Sequence, residues 1–462
     1  MRRHWLFAIV LALGVALRVL VQIAYWPAMF NADSHLYLRT AFDLWIDHVR
    51  PAGFGIFMHI TPGWQSLWPV TLAQHLLGIA CAVGIYIALL RWRVPEWIAA
   101  LATVPVLLDP LQLALEQFIL ADALNALLVV GAVLLLAWRR RIGVVQALLA
   151  GALLAAAATV RAVATPLIVL AVVVVVVAGA RRLRATAALL AGFAVVMGSY
   201  MAAYHDQYGK WETTDYTQRF LYARIGLYVH CPGLRLPDYE KALCPYGVPT
   251  ADRTTNLFLW QRDAYIRRYK PPAGMTVDEV LADFNRRALE GEPVAYAKAV
   301  VRDTLRGFAP HRGLRTDNGF DAQWELGELH EINLETYETR RLVDEYGLAP
   351  RLNRPVARLL GHWQHLYYTR GPLLAACFIP VLLAAFGAMG SRRFKAQRLM
   401  AVLAAATALA LVVIPAATAS FAWRYQVGQL PLLPFAGALA LGALLRGRAE
   451  QRQAASDRSE SE

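Results

Sequence analysis

The sequence opens with a long apolar segment that is followed by an acidic residue: WLFAIVLALGVALRVLVQIAYWPAMFNAD, residues 5–33. A helix needs about 20 apolar residues to cross the roughly 30 Å hydrocarbon core of a membrane, and residues 5–26 meet that length. The segment is too long for a signal-peptide core and lacks a small-residue cleavage motif at its end, so we expect an uncleaved anchor. Asp33 then stands a few residues beyond this predicted span.

The rest of the chain has the composition of a polytopic membrane protein. Of 462 residues, 58% are hydrophobic and 17% are charged, and the mean hydropathy is +0.40. A soluble domain could not bury so many apolar side chains. The sequence therefore predicts an all-α fold with about ten transmembrane helices. The ten predicted spans are residues 5–26, 66–90, 95–114, 117–138, 144–160, 162–180, 185–204, 371–390, 398–420 and 424–445.

The positions of the arginines predict the orientation, because cytoplasmic turns are enriched in Lys and Arg. Alternate turns contain the basic runs RWR, RRR, RRLR, SRRFKAQR and RGR, starting at residues 91, 139, 181, 391 and 446. We therefore expect both termini in the cytoplasm and the long loop outside. The predicted units are a seven-helix module, a mostly helical extracytoplasmic domain, a three-helix block and a polar tail. The seven-helix module comprises residues 1–204, with a first external loop at 27–65, and the extracytoplasmic domain comprises residues 205–370. The three-helix block comprises residues 371–445, and the tail comprises residues 446–462.

The charge distribution argues against nucleic-acid binding. The net charge is +13, but the 205–370 loop is almost neutral, so the excess lies mainly on the predicted cytoplasmic turns, where it meets anionic lipid. Arginine far outnumbers lysine, which together with the Ala and Val content favours a high-GC bacterium and its plasma membrane. Cys231 and Cys244 share the external loop, where they form either a local disulfide or two free thiols.

Asp33 has two interpretations. It is either only the N-cap of a helix predicted at 34–48, or an external catalytic carboxylate at the lipid boundary. Asp43 and Asp47 form an i, i+4 pair on that predicted helix. Arg50 precedes Pro51 in a predicted bend, and its guanidinium is suited to bidentate phosphate binding. The alternative for Arg50 is an arginine that extends its charge to the membrane surface.

Three other charged residues lie at the ends of predicted spans. Arg161 marks an external turn that otherwise lacks charge, and Arg424 begins the last span. Charges at such depth are costly and often functional, although a side chain at a helix end also reaches the surface easily. Asp122, like Glu116, opens the fourth span, where the helix N-terminus stabilises negative charge. A buried, functional Asp122 is the alternative.

Several motifs are absent from the sequence. It contains no P-loop, no G-x-G-x-x-G, no C-x-x-C and no H-E-x-x-H. ATP hydrolysis, nicotinamide chemistry and a Cys/His zinc site therefore have no support. His35, His48 and His59 follow Asp33, but their spacing matches no metal pattern. We expect no cofactor and no metal.

Five motifs, in this order, resemble the GT-C superfamily of polyprenyl-phosphate-sugar-dependent glycosyltransferases. Within it, the chain is most similar to the family-39-like group with the protein mannosyltransferases and the aminoarabinose transferase. The motifs are NADSHLYL (31–38), RPAGFGIFMHI (50–60), EQFILADALNALLVVGAVLLLAW (116–138), TVRAVATPLIVL (159–170) and WRYQVGQLPLLPFAGALAL (423–441).

The resemblance implies roles for individual residues. Asp33 matches the catalytic acid that follows the first span, but Ser34 stands where the family often has a second acid. Asp43, Asp47 and Asp122 remain as secondary acidic candidates. Arg50 stands at the position of a basic residue near the donor phosphate. The final motif supplies Arg424 and Tyr425 as further residues at the donor phosphate. We add Arg161 as a third arginine that could bind this phosphate.

The implied reaction is inverting transfer of a sugar from a polyprenyl-phosphate donor to an envelope hydroxyl outside the cell. The acceptor, whether protein, polysaccharide or lipid, is left open. Asp33 would act as the general base, and the arginines would stabilise the leaving phosphate. The main alternative is a transporter or flippase of a lipid-linked sugar, although paired, interrupted spans in matching halves are not visible. A non-catalytic envelope-binding protein is a further alternative.

Overall fold

Helices make up most of the chain in the computed structural model. It describes residues 3–313, 315–316, 319–320, 324–328, 340, 344, 346–348, 350–386 and 394–459. The α-helices are α1 Trp5–Ala24, α2 Ser34–Asp43, α3 Gly53–Ile60, α4 Trp68–Arg91, α5 Glu96–Leu101, α6 Val104–Leu108, α7 Pro110–Gln117, α8 Ala121–Ala137, α9 Val144–Val160, α10 Leu167–Ala178, α11 Arg182–Tyr208, α12 Thr217–Gly226, α13 Asp238–Lys241, α14 Thr255–Leu259, α15 Tyr265–Arg268, α16 Val277–Gly291, α17 Pro293–Arg306, α18 Arg354–Leu366, α19 Gly371–Ala376, α20 Phe378–Ala385, α21 Lys395–Thr418 and α22 Gln429–Ser459.

Shorter elements complete the secondary structure of the described residues. The 3-10 helices are Trp64–Ser66, Ala162–Ala164, Cys231–Gly233, Thr250–Asp252 and Trp423–Gly428. Four strands of two residues each form two antiparallel pairs. Strand β1 (Tyr25–Trp26) pairs with β4 (Arg351–Leu352), and β2 (Arg315–Thr316) pairs with β3 (Gly319–Phe320).

The long apolar helices are those of a multi-pass membrane protein. Within the described residues, five helices are long and apolar enough to cross a membrane, and the number is seven if each of two bent helix pairs is one span. Three shorter apolar helices, at 121–137, 144–160 and 162–178, lie where further spans are predicted. Every predicted span thus has an apolar helical segment, but a count of ten crossings stays a prediction.

Two predicted boundaries differ from the structure. The apolar segment expected at 371–390 is the second part of a bent pair that starts earlier, at Arg354, with a 52° bend before Gly371. Residues 387–390 lie outside the described residues. The helix expected at 34–48 ends at Asp43, because Leu44 adopts a left-handed conformation with φ of 53°. Hydrophobic periodicity does not reveal such a stop, since Trp45 continues the pattern.

Small residues allow the membrane helices to pack closely. A Cβ atom added to Gly151 on α9 would collide with the backbone carbonyl of Leu189 on α11, and one added to Gly192 on α11 would collide with that of Leu148 on α9. Close approach through small residues is a common way for apolar helices to associate in lipid, where the hydrophobic effect does not drive them together. The two glycines therefore fix how α9, which carries Arg161 at its end, lies on its neighbour.

A second, smaller apolar core is formed by residues of the predicted extracytoplasmic domain. Tyr222 on α12 and Phe258 on α14 are buried in it, together with Phe284 on α16. The structure joins Cys231 and Cys244 by a disulfide that is part of this core. The boundaries of a separate extracytoplasmic domain stay a prediction.

One buried ion pair connects a break in the membrane helices to the chain that follows α17. Asp109 separates α6 from α7, and both of its carboxylate oxygens lie 3.1 Å from Nη2 of Arg312. Arg312 also donates from Nε to Oε1 of Gln426 at 3.0 Å. Gln426 belongs to the 3-10 helix Trp423–Gly428, so this contact helps to place the segment that carries Arg424.

Candidate functional site

Asp33 follows the first membrane helix and precedes α2, yet its carboxylate does not cap that helix. Instead, Oδ1 of Asp33 lies 2.9 Å from Nη2 of Arg50, and Oδ2 lies 3.4 Å from Nη1 of Arg424. About one fifth of the Asp33 side chain is exposed (19%). The interpretation of Asp33 as only a helix cap is therefore wrong.

A tight turn and a close helix contact place Arg50. The Asp47 carboxylate accepts hydrogen bonds from the backbone N–H groups of Val49 and Arg50, which closes the turn. Helix α3 then starts at Gly53, where a Cβ atom would lie only 2.6 Å from the carbonyl carbon and oxygen of Thr159. Only glycine permits this approach without a backbone shift, and it brings the Arg50 turn against the end of α9.

A second carboxylate, that of Asp122, shares one of these arginines. It lies in the first turn of α8 with 3% of its side chain exposed, and its Oδ1 atom is 2.6 Å from Nη1 of Arg161. Its Oδ2 atom is 3.7 Å from Nη1 of Arg424. Arg424 thus stands between the two aspartates, and the three guanidiniums and two carboxylates form one cluster.

Aromatic rings surround the guanidiniums. The ring of Tyr425 has its centroid 5.3 Å from the Arg161 guanidinium and 5.5 Å from that of Arg424. Trp324 contacts Arg424 at 5.3 Å, and Phe220 contacts Arg50 at 5.4 Å. Rings at these distances stabilise a cation and limit its access to water. Tyr425 thus contacts Arg161 and Arg424, two of the arginines predicted to bind phosphate. A phosphate-binding role for Tyr425 itself stays a proposal.

The cluster has an excess of positive charge. Three arginines face two aspartates, so one positive charge is left over if all five groups are ionised. Burial raises the pKa of the Asp33 carboxyl, but the charges of Arg50 and Arg424 and the hydrogen bond from Arg50 outweigh it. The pKa of Asp33 therefore lies below its usual range, and the carboxylate is ionised at neutral pH. The excess positive charge attracts an anion, and the ionised Asp33 carboxylate lies next to the arginines that would bind it.

The other predicted acids lie apart from these ion pairs. Asp43 is exposed at the end of α2, and Asp47 serves the turn before Arg50. Within the described residues, neither joins an ion pair of the cluster, and no group of three or more His, Cys, Asp or Glu side chains could hold a metal ion. The Cys231–Cys244 disulfide belongs to the smaller core.

Sequence reasoning missed two further features. Trp324 lies in a segment without periodicity, so nothing in the sequence singles it out. The buried pair of Arg18 on α1 and Glu116 on α7, with a distance of 2.9 Å between Nε and Oε2, does have a sequence signal. Arg18 is a charge in the middle of an apolar segment, which requires a partner.

The comparisons with known proteins concern fold. No protein-family model and no curated protein matches the chain. Among solved structures, the oligosaccharyltransferase AglB from Archaeoglobus fulgidus, in complex with an inhibitory peptide and a dolichol-phosphate, is similar with a TM-score of 0.46 and 15% identity. ArnT from Cupriavidus metallidurans, bound to undecaprenyl phosphate, is similar with a TM-score of 0.38 and 12% identity.

The two alignments cover most of this chain. Each covers 95% of it, but only 50% of the archaeal protein and 77% of ArnT, so the chain spans about half the length of the former. Both neighbours are GT-C membrane glycosyltransferases, the superfamily that the sequence motifs resemble. The case for a function rests on the contacts of the cluster itself.

Proposed function

We propose that the protein transfers a sugar from a polyprenyl-phosphate donor to an acceptor hydroxyl on the extracytoplasmic side of the membrane, with inversion. The observation that carries the proposal is the convergence of Arg50, Arg161 and Arg424 on Asp33 and Asp122. In the sequence, Asp33 follows the end of α1 and Arg424 precedes the start of α22. A lipid could therefore keep its tail in the bilayer while its phosphate reaches the guanidiniums.

The arginines would bind the phosphate and stabilise its growing charge. Arg50 and Arg424 have only limited exposure and already hold carboxylate oxygens, so their donors point into the cluster. Guanidinium groups bind phosphate through charge-assisted, often bidentate hydrogen bonds. When the bond between the anomeric carbon and the phosphate oxygen breaks, the charge that develops on the phosphate remains beside fixed cations.

Asp33 would act as the general base. It would accept the proton of the acceptor hydroxyl while the acceptor oxygen attacks the anomeric carbon from the face opposite to the phosphate. One C–O bond forms, one C–O bond breaks, and the polyprenyl phosphate leaves. Asp122, which faces Arg161 and Arg424, would hold these two cations in place. General-base assistance of this kind typically contributes about 10²–10⁴-fold to the rate.

The same arginines that would bind the phosphate now neutralise the proposed base. A phosphate that draws Arg50 and Arg424 away from Asp33 would also remove the interactions that lower its basicity. Donor binding would therefore activate the base, and an acceptor that arrives first would meet a carboxylate that is a poor proton acceptor. This coupling favours an order in which the donor binds before the acceptor.

Native mass spectrometry of the purified wild-type protein and Asp33→Asn tests the proposal. We expect a polyprenyl-phosphate sugar to accumulate on the variant, because turnover is blocked while the three guanidiniums remain. If neither form binds added donor, the transferase proposal fails. If both bind it, and both move it between leaflets of a vesicle without cleavage, the protein is a transporter.

A further inference from the structure

A buried polar network connects α1, α4 and α7. Its centre is the carboxylate of Glu116, which accepts hydrogen bonds from Arg18 on α1 and from Gln112 on its own helix, at 2.9 and 2.8 Å. Nδ1 of His75 on α4 lies 2.8 Å from Oε2 of Glu116. All four side chains are buried. Arg18 also donates to the backbone carbonyls of Gly14, Val106 and Leu107, which ties α1 to α6.

Gln117 extends this network to the segment that carries Asp33. Its Oε1 atom lies 2.9 Å from Nε2 of His75, and its Nε2 atom donates to the backbone carbonyl of Tyr25 at 2.8 Å. A longer contact of 3.4 Å reaches the carbonyl of Pro27. The Gln117 side chain is fully buried. Its contacts to His75 and Tyr25 connect the polar centre to the chain that leaves α1.

The backbone continues this connection up to both acids. The N–H of Met29 donates to the carbonyl of Gln117 at 3.0 Å, and the N–H of Ile119 donates to the carbonyl of Met29 at 2.9 Å. The hydroxyl of Ser34 then donates to the carbonyl of Ile119 at 2.9 Å. Asp33 immediately precedes Ser34, and Asp122 follows Ile119 by three residues. We call these contacts between residues 29–34 and 117–119 the acid-loop bridge.

We infer that Gln117 is a positioning residue, which sets the separation of Asp33 and Asp122 through the acid-loop bridge and so keeps both within reach of Arg424. This inference rests on the proposed function for its catalytic consequence. Arg424 lies 3.4 Å from one acid and 3.7 Å from the other, so a small shift of either segment changes which one it holds.

The test compares Gln117→Met with Gln397→Met. Methionine keeps the length of the side chain but removes the amide. Gln397 is also buried, its Nε2 atom donates to the carbonyl of Leu439 at 2.7 Å, and it lies near the start of α21, whereas the cluster lies beyond the opposite end of that helix. Both variants lose a buried amide, but only Gln117 also belongs to the acid-loop bridge, through its backbone carbonyl.

Hydrogen exchange of residues 25–36 and 117–122 gives a readout that does not need turnover. We expect faster exchange in these two segments for Gln117→Met and wild-type exchange there for Gln397→Met. In a transfer assay, we expect kcat of Gln117→Met to fall about 10–100-fold, since small misplacements of reacting groups have effects of this size. The Kd for polyprenyl phosphate should stay within about threefold of the wild-type value, because the arginines remain.

Unchanged exchange in Gln117→Met, or an unchanged kcat, overturns the inference. An equal loss of kcat in Gln397→Met also overturns it, because the effect would then reflect general loss of stability. A wild-type protein that transfers no sugar defeats the proposed function instead, and the exchange result shows by itself whether the bridge depends on Gln117.

Discussion

Nη2 of Arg50 lies 2.9 Å from Oδ1 of Asp33, so the proposed phosphate-binding arginine and the proposed base form an ion pair in this structure. A phosphate must compete with the carboxylate for this guanidinium. Asp33→Asn should therefore bind polyprenyl phosphate more tightly than the wild-type protein, by about 10-fold, which corresponds to about 1.4 kcal/mol. Sugar transfer should be lost in the same variant. Binding of polyprenyl phosphate to protein in detergent, measured at fixed salt, checks the first part.

Asp238→Asn is the matched control for this experiment. Asp238 is exposed on α13 and pairs with Lys241 at 2.6 Å, so the change removes an ionised aspartate from a surface ion pair. It should alter neither binding nor transfer, because exposed pairs contribute little. Equal or weaker phosphate binding by Asp33→Asn would contradict competition for the arginines, even if transfer is lost.

The pH dependence of transfer should differ between the free protein and its donor complex. The arginines keep the pKa of Asp33 below its usual range in the free protein, so the acidic limb of kcat/KM should lie below the ordinary Asp value of about 3.9. When phosphate engages the arginines, this stabilisation of the carboxylate weakens and the pKa of Asp33 rises. The acidic limb of kcat should then lie at higher pH than that of kcat/KM. Coincident limbs, or the reverse order, would show that donor binding leaves the base unchanged.

Gly53→Ala should damage the site without touching a charged group. The new Cβ atom would lie 2.6 Å from the backbone of Thr159, so α3 and the end of α9 must separate, and Arg50 must move relative to Arg161. We expect transfer to fall about 10–100-fold. Gly198→Ala on α11 is the control, since its Cβ would meet nothing within 4 Å. That variant should keep full activity, and wild-type activity in Gly53→Ala would show that the close contact is unimportant.

The sequence identified the charged residues of the site but not their arrangement. Asp33, Arg161 and Arg424 stand out because each is a charge close to the end of a predicted span, where ionised groups are rare. Arg50 stands out because it precedes Pro51 in a predicted bend of the first external loop. Their convergence depends on contacts between residues as far as 391 positions apart in the chain, as for Asp33 and Arg424. Local periodicity contains no information about such pairs. The resemblance of the ordered motifs to a known superfamily led us to expect that these charged residues lie together. Composition alone does not lead to this expectation.

The buried network shows a different limit. Arg18, in the middle of an apolar segment, predicts that some acid lies opposite to it in the bundle. Asp109, Glu116 and Asp122 are all close in the sequence to predicted span ends, and hydropathy does not choose among them. The structure pairs Arg18 with Glu116, Asp109 with Arg312, and Asp122 with Arg161. The chain breaks at Asp109, whose side chain caps α7, with Pro110 in the first turn of that helix. The break therefore has a local cause, whereas the partner of each acid depends on tertiary packing.

The pair of Asp122 and Arg161 allows structural and functional roles to be separated. Arg161→Gln leaves a carboxylate with 3% exposure whose one other ion pair among the described residues is the 3.7 Å contact to Arg424. The loss of one partner of a buried pair costs about 3–5 kcal/mol. The variant should therefore melt at a lower temperature in detergent. Adding Asp122→Asn removes the unpaired charge, so the double variant should recover most of the lost stability, with a coupling energy that a double-mutant cycle measures. Transfer should not recover, because a phosphate cation is still missing and Arg424 has lost one of the two acids that hold it. A double variant that transfers sugar at the wild-type rate would place this pair outside the reaction and leave Arg50 and Arg424 as the phosphate ligands.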